Sequence, residues 1–161
     1  MTDVGSYKQL PPCGIYRTTA PLPGKEEWVR ENLLVYFHNH SQQGPPLLLL
    51  PATNGSNRWI FHEKGYLIRE PEYVDTLVKL MDEGLYVLAE PIYLSRDEFI
   101  PEETLVQLGY NRAGDPILFL AKFQENQINF PSSGLKCTLE IFDMLRPVNF
   151  RIPNYTRDMH H

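Results

Sequence analysis

Short apolar runs, separated by turn-forming residues, recur along the whole chain. In the first half, residues 14–19, 33–39 and 47–50 read as strands. The last is an unbroken run, Leu47-Leu48-Leu49-Leu50 between prolines, which predicts a strand buried on both faces. Asn54-Gly55 reads as a tight turn, and residues 58–62 and 66–69 as a hairpin around Glu63-Lys64-Gly65. After Pro71, the residues Tyr73, Leu77, Leu80 and Met81 fall on one face at helical spacing, and Gly84 stops that helix. The second half offers strands at 85–95, 105–110, 117–123 and 127–130. A helix follows at 139–145, with Thr138 as its cap and Pro147 as its terminator.

The order repeats because the residues do. Gly14-Ile15-Tyr16, followed by Pro21-Leu22, returns as Gly84-Leu85-Tyr86, followed by Pro91-Ile92. Glu31-Asn32-Leu33-Leu34 returns as Glu103-Thr104-Leu105-Val106. Asn39 and the run from Pro46 return as Asn111 and the run from Pro116. Phe61 and Gly65 return as Phe130 and Gly134, residues 72–77 return as 140–145, and the offset stays between 72 and 68. Self-similarity of this kind specifies architecture before any motif does. It predicts an α+β, mostly β fold. The fold is a tandem duplication of a small antiparallel-sheet or open-barrel unit, each unit having four or five strands plus one helix, the two related by a pseudo-twofold axis. Residues 1–13 form an N-terminal arm, 14–83 and 84–150 the repeats, and 151–161 a tail. A unit of about 70 residues is near the lower limit for an independent core. The repeats are therefore expected to pack as one globular domain, with 47–50 and 117–120 in the shared core.

The 161 residues are 42% hydrophobic, enough for such a core, and carry a net charge of −5. That balance weighs against nucleic-acid binding, which draws on clustered Lys and Arg. The first ten residues lack a basic and apolar leader, and the longest aliphatic run is four residues. The sequence thus predicts neither secretion nor a membrane span, and a cytoplasmic location. Nucleophile-elbow, Walker, dinucleotide and His-Glu-x-x-His signatures are absent. Cys137, just before the second helix, is the one candidate nucleophile. Its place in the first repeat is held by Ile68, which points to a small buried hydrophobe instead.

Two constellations invite chemistry. His38-Asn39-His40 on a strand would put two imidazoles on one face, with His62 as a third metal ligand. Cupin-type metal sites begin with the same His-x-His. Here the next carboxylate is only Glu63, and the second repeat puts Tyr110 and Arg112 at the matching places, so no cofactor is expected. The second constellation is aromatic. Tyr36, Phe37, Trp59 and Phe61 lie on neighbouring strands, and Tyr110, Phe119 and Phe130 in the second half, with core packing as their first use.

The repeats differ most at 38–40, at the loop 52–57 and at Arg58-Trp59. Arg and Trp are enriched among residues that dominate binding energy. Tyr36, Asn54, Asn57, Arg58 and Trp59 are therefore the expected partner-binding patch. The function expected is a non-catalytic protein-binding or assembly module: an adaptor, a neutralising partner or a subunit of a larger complex, bound to another protein or to itself. The alternative is a small cupin-like metal-dependent enzyme using His38, His40 and His62.

Overall fold

A computed structural model describes residues 10–39 and 44–149. His40, the tail 151–161 and most of the arm lie outside the described residues. The first half holds β1 (Gly14–Arg17), β2 (Leu34–His38), β3 (Leu47–Leu49), β4 (Pro51–Gly55), β5 (Arg58–Phe61), β6 (Tyr66–Leu67) and β7 (Val78–Lys79). The second holds β8 (Gly84–Leu88), β9 (Ile92–Tyr93), β10 (Phe99–Ile100), β11 (Leu105–Tyr110), β12 (Pro116–Leu120), β13 (Lys122–Gln124), β14 (Gln127–Asn129), β15 (Leu135–Lys136) and β16 (Leu145–Pro147). The fold is mostly β, in several antiparallel sheets, and no barrel closes among the described residues.

Each half centres on a five-stranded sheet. Sheet one runs β6-β3-β2-β1-β7 and sheet two runs β15-β12-β11-β8-β16. The ladders correspond as well. Phe37 lies between Gly14 and Leu48, as Leu108 lies between Gly84 and Leu118. Each sheet carries a two-stranded hairpin, β4–β5 or β13–β14. The register corrects the sequence alignment by one residue: Ile15 faces Tyr36 and Leu85 faces Gln107. His38 is thus level with Gly109, not with Tyr110.

Three elements differ from expectation. The helix predicted from Pro71 is a six-residue 3₁₀ turn, Pro71–Thr76, and Leu77 is already extended. The turn buries Tyr73 and Val74, and Val78–Lys79 then join β1 as a sheet edge. A helix this short gains little by propagating, whereas the ladder satisfies backbone groups at once. Leu139–Met144 behaves alike, without a side-chain bond from Thr138, and Leu145 enters β16. Second, 52–57 is not a loop. Arg58–Phe61 pairs back onto Pro51–Gly55, while Tyr66–Leu67 joins β3. The turn is Ser56-Asn57, both at positive φ as a tight I′ hairpin requires, and Glu125-Asn126 repeats it. Third, β3 is covered on one face only: Leu48 is fully buried, Leu47 and Leu49 partly.

Two clusters of buried residues form the core. One gathers Tyr16, Val35, Phe37, Leu48, Ile68 and Tyr73 within the first half. The other gathers Tyr86, Leu88, Val106, Leu108, Leu118 and Ile141 of the second half, and takes in Ile15 and Leu34 of the first. Leu48 and Leu118 fall in different clusters, so β3 and β12 do not make the shared core that was expected. Ile15, Leu34, Trp59 and Phe61 join the halves instead.

Candidate functional site

The hairpin β4–β5 bridges the halves, as do the Arg17–Asp115 ion pair and the Leu34 N–H bond to the Arg112 carbonyl. At its tip Asn57 is buried, and its amide donates to Gln107 Oε1 at 2.9 Å and to the Pro131 carbonyl at 3.0 Å. The Gln107 amide returns a bond to the Ser56 carbonyl at 3.0 Å. Gly109 makes this approach possible. A Cβ there would lie 2.9 Å from the Asn57 carbonyl oxygen and equally close to the Phe119 ring. Along the hairpin, the Trp59 indole donates to the Tyr110 carbonyl at 2.7 Å, and the Arg112 guanidinium stacks 4.8 Å from its ring. Arg112 also donates to the Pro51 carbonyl at 3.1 Å.

Glu83 closes the contact by accepting the Trp59 N–H at 3.1 Å. Burial pushes its carboxyl above the usual carboxylate range, and the Trp59 N–H and the Arg58 charge offset part of that rise. Tyr110 donates its hydroxyl to the Met81 carbonyl at 2.6 Å, and burial raises its ionisation far above the ordinary phenol value.

The five residues expected to face a partner therefore have different fates. Trp59 and Asn57 turn into the fold. Arg58 and Asn54 are exposed. Tyr36 is half-buried, its ring centroid 5.7 Å from that of Phe61. Tyr36, Arg58 and Trp59 do meet, with Cys13, Phe61 and Glu83, around an open groove of about 480 Å³.

The matching hairpin, β13–β14, is placed otherwise. All six of its strand residues are exposed. Phe123 and Ile128 face each other across it, 72% and 55% exposed. They stand where Asn54 and Trp59 pair in the first hairpin. In the same half, Tyr93 and Phe99 pair across β9–β10 with ring centroids 5.6 Å apart, both largely exposed, next to exposed Leu94. An open pocket of about 400 Å³ in this half is lined by Leu94, Ile100, Leu118, Leu120 and Leu135. Its counterpart in the first half is lined by Leu50, His62, Glu63, Lys64 and Tyr66. The same position is thus mostly apolar in one half, with Lys122 and Ser133 at its edge, and holds His62, Glu63 and Lys64 in the other.

Of the three histidines, His38 lies on β2 opposite Leu47, and His62 is exposed with its N–H bonded to the Leu50 carbonyl. Among the described residues no group of three His, Cys, Asp or Glu side chains is arranged to hold a metal ion. Cys137 donates its backbone N–H to Pro116 as Ile68 does to Pro46, and burial pushes its thiol pKa up, the opposite of activation. Asn39 and Asn111, matched between the halves in the sequence, part company. Asn111 accepts the N–H groups of Ala113 and Asp115, an Asx turn. Asn39 instead holds the chain before β1, donating to the Pro11 carbonyl at 2.6 Å and accepting the Cys13 thiol.

Among the described residues no helix is long and apolar enough to cross a membrane. Comparison with protein-family models, curated proteins and solved structures yields no match.

Sequence reasoning missed Tyr93, Leu94, Phe99, Phe123 and Ile128 as a surface. Lys122-Phe123-Gln124 and Gln127-Ile128-Asn129 each hold one apolar residue between polar neighbours, the signature of a strand with one apolar face. Nothing in that signature says whether the face is covered.

Proposed function

We propose that the chain is a tandem duplication, with units at 14–83 and 84–150, that acts as a non-catalytic protein-binding or assembly module. Support for the duplication comes from the common strand order, the common register and the paired backbone specials. Asn32 and Glu103 both enter their strands at positive φ, as do the two residues of each hairpin turn. We read the halves as related head to tail rather than by the pseudo-twofold axis expected from the sequence. A twofold makes contacts reciprocal. Here the first hairpin is seated on the second half while the second hairpin is exposed.

One observation carries the binding reading. The second half presents Tyr93, Leu94, Phe99, Phe123 and Ile128 to solvent, and Leu94 also lines a mostly apolar open pocket. Clustered exposed aromatic and aliphatic side chains mark interaction surfaces. The test is the native size of the protein in extracts of its source. The expected result is a complex larger than the monomer that is lost in Phe123→Asp. A monomer for both wild type and variant overturns the reading.

A further inference from the structure

Resting on that reading, we propose that the β13–β14 hairpin of one copy docks in the Tyr36 groove of a second copy, head to tail. The molecule contains its own template. The first hairpin already sits on the face of sheet two formed by Gln107 and Gly109, bonding the Tyr110 backbone carbonyl beside them, with Glu83 at the side. In the ladder correspondence, the same face of sheet one presents Tyr36 and His38, with Cys13 at the side. Part of that face lines the open groove, where Cys13, Ile15, Tyr36 and Phe61 meet, with Arg58, Trp59, Asp82 and Glu83 on its other side.

The side chains complement each other by exchange of size. On sheet two the seat is small, Gln107 and Gly109, and takes the large Trp59. On sheet one it is fuller, Tyr36 and His38, and the hairpin on offer is slimmer there, with Ile128 in the place of Trp59. Phe123, in the place of Asn54, adds a ring to meet Tyr36 and Phe61. Hairpin and seat are different surfaces, so the contact is heterologous, and successive copies build a ring or an open chain.

The experiment is disulfide trapping with Ile128→Cys in the full chain. Within one copy, the Trp59 N–H lies 3.1 Å from Glu83. Position 128 of one copy should therefore fall beside Cys13 of the next. The expected result under mild oxidation is a ladder of cross-linked species whose peptides join residue 128 to residue 13. The ladder should vanish when Cys13→Ala is added. Residue 128 is exposed, so the variant should melt with the wild type; sedimentation of the unmodified protein, rising in mass with concentration, gives a second readout. Links from 128 to 128 mean a reciprocal dimer and overturn the proposal, as does a monomer at every concentration. A purified monomer that still enters a Phe123-dependent complex with a different protein in source extracts overturns only this proposal and leaves the binding reading standing.

Discussion

The two hairpins share a position, a turn geometry and a cross-strand register, yet one is a joint and the other a projection. Asn57 in the first turn is buried with two hydrogen bonds; Asn126 in the second is exposed. Trp59 is half-buried beneath Arg112, while Ile128 stands in solvent. A backbone element therefore does not determine its own use. What decides is whether a surface with the right gaps lies within reach, and Gly109 supplies that gap for the first hairpin alone.

The largest expected effect is at the tryptophan. Trp59→Ala removes a half-buried ring, its bond to Tyr110 and its stacking on Arg112, and should cost about 3 kcal/mol of stability. Ile128→Ala at the matching place should stay within about 0.5 kcal/mol, as exposed substitutions do. Urea titration of both variants checks the contrast, and equal losses break it.

Next comes the turn. Asn57→Ala leaves the buried Gln107 oxygen without its donor and should cost about 2 kcal/mol. Asn126→Ala shares only the positive-φ penalty, roughly 1 kcal/mol. If Asn126→Ala proves the more harmful, the second hairpin is not the free one.

The smallest effect concerns Glu83. Its folded-state pKa is raised above the unfolded value, so the native state binds the proton more tightly. Stability from this group is then present at low pH and falls as pH rises from the ordinary carboxylate range through the raised folded value. Glu83→Gln should retain an acceptor for Trp59 and be at least as stable as wild type at neutral pH. That advantage should fade on acidification. Thermal melts of both proteins across that interval read it out, and an advantage that grows on acidification contradicts the assignment. Asp115 has the opposite sign. Its pKa is lowered, first by the Asn111 amide and then by Arg17 and Lys136, so its contribution is lost as pH falls.

The mostly β character and many strand positions were legible because alternation of apolar residues is a local property. Gly14, Tyr16 and their counterparts Gly84 and Tyr86 appear in the same sequence order and land at corresponding places in the ladders. The hairpin turns were not legible, because Asn54-Gly55 is the stronger I′ signal by composition, yet Gly55 pairs within β4 and the turn falls on Ser56-Asn57. The candidate site was half legible. Arg58 and Trp59 were singled out as a difference between repeats, and they do lie at the bridge between the halves. The sequence could not reveal that Trp59 faces inward, because that depends on Gly109 and Tyr110, fifty residues away.

The central claim is that one hairpin is seated and its twin is not, until a second copy arrives. Residue-resolved hydrogen exchange over a range of protein concentration tests it most directly. At the lowest concentration, Trp59 and its neighbours on β5 should be strongly protected, and the amides of β13–β14 should exchange rapidly. Protection of β13–β14 should then rise with concentration, together with residues around Tyr36. Equal protection of the two hairpins in the dilute protein, or a β13–β14 signal that ignores concentration, contradicts the claim.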